Sequence, residues 1–266
     1  MSASVNGVAL LAACGLVVKP GGRSAPDASG RDAQVASAAG AYGGYAVLQG
    51  TGGAEMGISG IVVGAPGIPS GDRSAASHAQ LLTFLAALRL VLQGEQAVGL
   101  GDQADREWHG YAKGLDVSFA EADEVAISAA VDVRWHIPDP LAIAVAETIL
   151  PGTDVALALG NAPAPIRVEI YNSSATPITQ VVVTVLRGGV VLQSLTWTGS
   201  IAAATCWIVD DESASVTNAG ANAIDGLSAA SVFPVADPLD GANRVTVVLT
   251  GGTGSVCVRY HKRWLG

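Results

Sequence analysis

Residues 178–199 read "ITQVVVTVLRGGVVLQSLTWTG". Two runs rich in β-branched residues flank Gly188-Gly189, and that pattern predicts two antiparallel strands joined by a tight glycine turn. The same texture continues through the second half of the chain. "IRVEIYN" alternates from Ile166, "ATCWIVDD" is another short strand, and "NRVTVVLTGGTGSVCVRYHKRW" reads as a final hairpin turning near residues 251–254. "LAIAVAETIL" has a composition that would suit a short helix, but it lacks a cap and a helical stripe. Strands recurring about every ten residues, without a helix, predict an antiparallel β-sandwich of jelly-roll type.

The first half is organised differently. In "SHAQLLTFLAALRLVLQG", Leu81, Leu85, Leu88 and Leu92 recur at helical spacing, with Phe84 and Val91 widening the stripe. Ser77 is the expected N-cap and Gly94 the expected stop, so one helix is predicted over about residues 77–93. Its single apolar face should lie against a sheet. "EVAISAAVDVRW" then alternates: Val125, Ile127, Ala129, Val131, Val133 and Trp135 share one face, while Glu124, Ser128, Asp132 and Arg134 share the other. Residues 19–44, rich in Gly, Ala, Ser and Asp, read as a long loop, and residues 45–63 as short strands joined by tight turns. Pro138 and Pro140 in "IPDP" stop the alternating strand and mark a boundary, giving domains 1–139 and 140–266.

The chain has 266 residues, enough for two domains of ordinary size. Half of it is hydrophobic, yet only 5% is aromatic and 14% charged, and the net charge is −9. An acidic surface repels phosphate and argues against sequence-specific nucleic-acid binding. Cys14, Cys206 and Cys257 form no CxxC pair or His/Cys cluster, so they are expected to be free thiols in a reducing compartment. "VALLAACG" (residues 8–15) looks like a lipoprotein cleavage box, but "MSASVNG" before it carries no positive charge. The expectation there is a strand, a turn at Gly15 and a second strand, "LVV". No apolar run reaches the ~18 residues of a membrane span.

Motifs for bond-making chemistry are missing. His78, His109, His136 and His261 have no ligand spacing with one another, and no GxSxG elbow occurs. "GTGGAEMGISG" lacks the Lys-Ser/Thr of a phosphate loop, and Glu55 would oppose phosphate. Asp210, Asp211 and Glu212, with Asp237 or Asp240, match no calcium-loop spacing. Asn172 in "NSS" matches a glycosylation acceptor without any other sign of secretion. No catalytic residue, metal site or cofactor is therefore expected, and the chain is read as a non-enzyme.

The ending, taken whole, runs "CWIVDDESASVTNAGANAIDGLSAASVFPVADPLDGANRVTVVLTGGTGSVCVRYHKRW". A Trp-bearing strand (Trp207) meets an acidic turn (Asp210, Asp211, Glu212). A proline with a G-x-N element (Pro238, Gly241, Asn243) precedes the penultimate strand, and the last strand closes on Tyr260 to Trp264. This resembles the C-terminal sandwich of the distal tail proteins of long-tailed bacteriophages. "SVNGVAL" is similar to that family's opening strand, and "IPDP" to its domain junction. The unusually Ala/Gly/Ser-rich stretch before Tyr45 departs from the family pattern.

The resemblance implies a mainly β fold: a tail-tube-like N-terminal β-sandwich or split-barrel domain with one helix, then a jelly-roll-like sandwich. It implies a structural virion protein at the tail tip, assembled in the host cytoplasm as a homohexameric ring. The ring would join the tail tube protein to the tail hub and to fibre or receptor-binding proteins, with DNA passing through an acidic lumen. The alternative is a carbohydrate-binding sandwich recognising a host glycan through stacking on Trp197, Trp207 or Tyr171. On the last strand, Tyr260 continues the core face, and Lys262 and Arg263 reach a rim where their charges meet solvent or acidic neighbours. Trp264 is expected to plug the sandwich end or the seam between the domains.

Overall fold

The computed structural model describes residues 3–24, 54–63, 75–100, 103–119, 128–139, 141–238 and 242–264. Its contacts divide the chain into two compact units, one of residues 1–143 with 265–266 and one of residues 144–264. The later part of the expected 19–44 loop, the glycines at 50–53 and residues 124–127 lie outside the described residues.

In the first unit, β1 (Ala3–Val5) and β2 (Val8–Ala9) form a hairpin with Val5 opposite Val8. Asn6 and Gly7 between them both have positive φ, the two-residue turn that matches strand twist. Asn6 also ties the hairpin to its neighbour: its N–H donates to Ala97 O at 2.7 Å, and its Oδ1 accepts from Ala97 N at 2.8 Å. The chain then departs from the expected strand–turn–strand. Leu10–Cys14 is a short helix, α1, whose apolar Leu10 and Cys14 are buried. Gly15 closes it in the left-handed conformation at φ 61°, its N–H reaching Leu10 O and Leu11 O. A Cβ on Gly15 would also stand 2.8 Å from the Phe84 ring, so both conformation and space require glycine.

β3 (Leu16–Ser24) follows, so residues 19–24 extend a strand where a loop is expected. β4 (Ala54–Val63) is one continuous strand, again in place of several short ones. α2 (Ala75–Val91) begins two residues before Ser77, which lies inside the helix and is not its cap. β5 (Glu95–Leu100), β6 (Arg106–Phe119) and β7 (Ser128–Ile137) complete the unit. The strands join in an antiparallel sheet whose main path runs β2-β1-β5-β6-β7-β4-β3. One face is apolar: Met56, Ile58, Val133, Trp135 and Ile137 are wholly buried, as are Leu81 and Leu88 of α2, which packs beside β4 and β7. Trp135 Nε1 donates to Gln96 Oε1 at 2.7 Å, satisfying a buried polar pair inside that layer.

The short strand β8 (Ala142–Ala144) lies at the division. The second unit contains β9 (Thr148–Pro151), β10 (Asp154–Leu157), β11 (Ala164–Pro165), β12 (Arg167–Asn172), β13 (Ile178–Arg187) and β14 (Val190–Ile201). After them come β15 (Cys206–Asp210), β16 (Ser215–Asn218), β17 (Ala221–Asn222), β18 (Val235–Ala236), β19 (Asn243–Gly251), β20 (Gly254–Tyr260) and β21 (Arg263–Trp264). A six-stranded sheet, β17-β16-β15-β12-β20-β9, and a four-stranded sheet, β10-β19-β13-β14, bury their inner faces in one core. Gly188 and Gly189, with φ 58° and 84°, turn β13 into β14 as their sequence predicts.

The closing strands do not form the expected hairpin. β19 pairs with β13 and β10, whereas β20 pairs with β12 and β9 in the other sheet. The glycines near residue 252 thus carry the chain across the sandwich. The backbone there passes so close that a Cβ on Gly252 would stand 2.1 Å from Thr176 O. Sheet switching of this kind is what a jelly roll requires.

Candidate functional site

The aromatic residues that would grip a glycan are mostly inside. Trp197 is 3% exposed and Trp207 0%, with ring centroids 5.7 Å apart and planes tilted by 52°. Trp197 Nε1 donates to Ala223 O at 2.8 Å, and the short helical turn Ile224–Gly226 roofs the ring. A Cβ on Gly226 would stand 2.2 Å from Trp197 Nε1. Neither indole can offer a face to a sugar. Tyr171, on the outer face of β12, is 46% exposed and stands apart from them.

Around Tyr171 the outer face of the six-stranded sheet is ionic. Arg259 Nε donates to Glu169 Oε2 at 2.9 Å and its Nη1 to Glu147 Oε2 at 3.0 Å. Arg167 Nη2 meets the other oxygen of Glu169 at 2.8 Å. The Glu147 hydrogen bond and the Glu169 charge hold the Arg259 guanidinium still more firmly protonated. The charges are paired within the chain, which makes a solvated face rather than a site poised for chemistry.

The basic end of the chain meets the acidic turn. Tyr260 is buried, its hydroxyl accepting from Ala158 N at 3.0 Å and donating to Ala158 O at 3.2 Å. Beyond it, Lys262 O accepts from Ala144 N at 2.8 Å, and Arg263 O accepts from Ala162 N at 3.1 Å. Arg263 Nη2 donates to Glu212 Oε1 at 2.8 Å. Trp264 is half-buried beside Gly160, where an added Cβ would stand 2.0 Å from Arg263 O and 3.1 Å from the Trp264 Nε1. Asp211 lies half-buried between Asp210 and Glu212. Burial, then those two charges, push its carboxyl up to about 6 against a partial counter-effect from Arg263.

Other sequence candidates resolve as structural. Asn172 is fully buried; its Nδ2 donates to Ile201 O and Thr176 O at 2.8 and 3.0 Å, and its Oδ1 accepts from Ser174 N. It pins the β12 end to the β14 end and has no free amide for a glycan. Asn243 Nδ2 donates to Asp237 O at 2.8 Å, and Asp237 pairs with Arg187, so Asn243 ties the start of β19 to Asp237; Gly241 lies outside the described residues. Asp240 lies outside the described residues. His78 sits within α2, not before it. His109 meets Glu107 at 3.1 Å, and His261 Nδ1 lies 2.9 Å from Ala144 O. Among the described residues, no group of three or more His, Cys, Asp or Glu is placed to hold a metal. Cys14, Cys206 and Cys257 are free thiols.

In the first unit, the sheet face opposite the helices is polar. The carboxylates Glu55, Glu95, Glu107, Asp116 and Asp132 outnumber Lys113 and Arg134. Lys113 hydrogen-bonds Glu55 and holds its carboxyl below the usual range, and Arg134 Nη2 meets Asp116 Oδ2 at 2.6 Å. Toward β3 this face becomes neutral, with Val17, Ile61 and Ala130 side by side. The charge gradient was invisible in the sequence, because it depends on the strand order.

No protein-family model matches the chain, and no curated protein does either. Among solved structures, the Dit protein of phage SPP1, described as a paradigm of the hub adsorption apparatus in phages infecting Gram-positive hosts, is similar over 99% of both chains. The TM-score is 0.67 at 15% sequence identity. The chain shares the fold of that Dit protein from end to end. The phage P2 baseplate, in its activated conformation with calcium, matches over 78% of each chain at 6% identity and a TM-score of 0.38. This shared fold is mainly β, in agreement with the strand texture of the sequence.

Proposed function

We propose that the chain is a structural virion protein, the distal tail protein of a long-tailed phage. Its copies close into a ring of six at the tail tip. The ring joins the tail tube protein to the tail hub and to fibre or receptor-binding proteins, after assembly in the host cytoplasm. The observation that carries this reading is the end-to-end likeness to the SPP1 hub protein, 99% of each chain at a TM-score of 0.67.

Local chemistry supports the same reading. The ion pairs on the second unit are closed on themselves, and the buried polar side chains pin strands together. The acidic face of the first unit suits a lumen through which DNA slides without sticking, since like charges repel. The burial of Trp197 and Trp207 leaves exposed Tyr171 alone of the three aromatics on which the carbohydrate-binding alternative rests. Immunogold labelling of intact virions with antibody against the chain is the test. Label confined to the distal end of the tail is expected; label on the head, or along the whole tail, would overturn the assignment.

A further inference from the structure

The buried stripe of α2 leaves a second apolar stripe facing out. Leu82 is 47% and Leu90 68% exposed, with exposed Ala86 between them, spaced to share one side of the helix. α2 contains no carboxylate, and Arg89 is the only Lys or Arg in it. On the opposite side of the same sheet lies a second uncharged patch. Val17, 46% exposed, stands opposite half-buried Ile61, which stands opposite half-buried Ala130. Asp132, two residues along β7 from Ala130, borders it with negative charge.

Within one chain these patches cannot cover each other, because the sheet lies between them. Resting on the ring reading, we infer that the Leu82/Ala86/Leu90 stripe of one copy docks on the Val17/Ile61/Ala130 patch of the next. A second copy is the occupant for two reasons. A chain of net charge −9 repels its copies except where the surface is neutral, and these are two such places. The borders are also complementary, since Arg89 flanks the helix stripe and Asp132 flanks the sheet patch. Two different patches on opposite faces make a head-to-tail contact, which propagates like overlapping tiles and closes into a ring when the rotation permits.

The test uses the full chain and two variants, Leu82→Glu with Leu90→Glu on the helix, and Val17→Glu on the sheet. Light scattering after gel filtration is read for each alone and for an equimolar mixture. All substituted side chains are substantially exposed, and circular dichroism checks the fold. If the helix pair unfolds, Leu82→Gln with Leu90→Gln replaces it. The native chain should run as an oligomer and each variant alone at the 26.6 kDa of one chain. The mixture should give a species of twice that mass, since one intact seam remains per pair. Variants that stay oligomeric, or a mixture that stays monomeric, would overturn the docking while leaving the ring reading in place. A native chain that is itself monomeric, its helix stripe covered by its own residues, would overturn both.

Discussion

Asp211→Asn should stabilise the second unit at neutral pH. The carboxyl is pushed up to about 6 from an ordinary 3.8, by burial first and by Asp210 and Glu212 next. A shift of that size corresponds to about 3 kcal/mol for a fully sequestered group. Asp211 is only half-buried, and solvent screening reduces the effect to about 1–1.5 kcal/mol. The sign follows from linkage. The folded state holds the proton more tightly than the unfolded chain, so the native protein is favoured below about pH 4 and loses that increment as pH rises through 6. Asparagine keeps the shape, including the backbone bonds of residue 211 to Ile166 O and Ala214 N, and removes the charge. Urea melts of native and variant chains at pH 5.0, 6.0, 7.0 and 8.0 measure this (conditions set to span roughly the titration of a shifted carboxylate). The variant should gain most at the highest pH and roughly half as much at pH 5.0, because the loss sets in above the unfolded value of 3.8 and is complete only above about 6. Equal stabilities at pH 8, or a variant that is weaker there, would refute the reasoning.

Arg263→Ala should steepen the same pH dependence, because Arg263 is the charge that opposes the upward shift of Asp211; melts across the same range would show a larger loss above pH 6. Trp264→Ala should cost about 1–2 kcal/mol, less than a fully buried tryptophan, because the indole is half-buried beside Gly160; thermal melting reads this as a drop of several degrees. Trp207→Ala, which empties the middle of the sandwich core, should cost about 3–5 kcal/mol and leave sugar binding unchanged at none; calorimetric melting and a glycan array check both halves.

The second unit was the more legible half, and the reason is periodicity. Strands buried on one face alternate, so "IRVEIYN", "ITQVVVTVL" and "CWIVD" announced themselves, and Gly188-Gly189 supplied a turn whose geometry depends on two consecutive positive φ values. What alternation does not encode is the partner of each strand. The residues 243–260 looked like a hairpin because two alternating runs flank glycines, yet the chain crosses between sheets there. Short apolar runs are ambiguous in the same way: "LLAAC" at residues 10–14 could extend a strand, and only packing next to α2 selects a helical turn.

The site residues divide along similar lines. The meeting of the basic end with an acidic turn was readable as a need, since Arg263 at a rim requires an acceptor, and Glu212 supplies it. Trp197 and Trp207 lie in predicted strands of the sandwich, which favours burial in the core over stacking on a sugar; what the sequence does not show is how they are covered. Their cover comes from elsewhere in the chain, as with Gly226 and Ala223 over Trp197, and single-sequence patterns do not carry such long-range contacts. The acidic face of the first unit is a product of strand order alone, bringing Glu55, Lys113, Arg134 and Asp116 together from three separated strands.

The mass and shape of the purified full-length chain, from light scattering and negative-stain images of the same sample, bear most directly on the claim that this fold is used for assembly. A closed annulus of six copies is the predicted result. A particle that stays at 26.6 kDa at every concentration, with no annuli in the images, would contradict it.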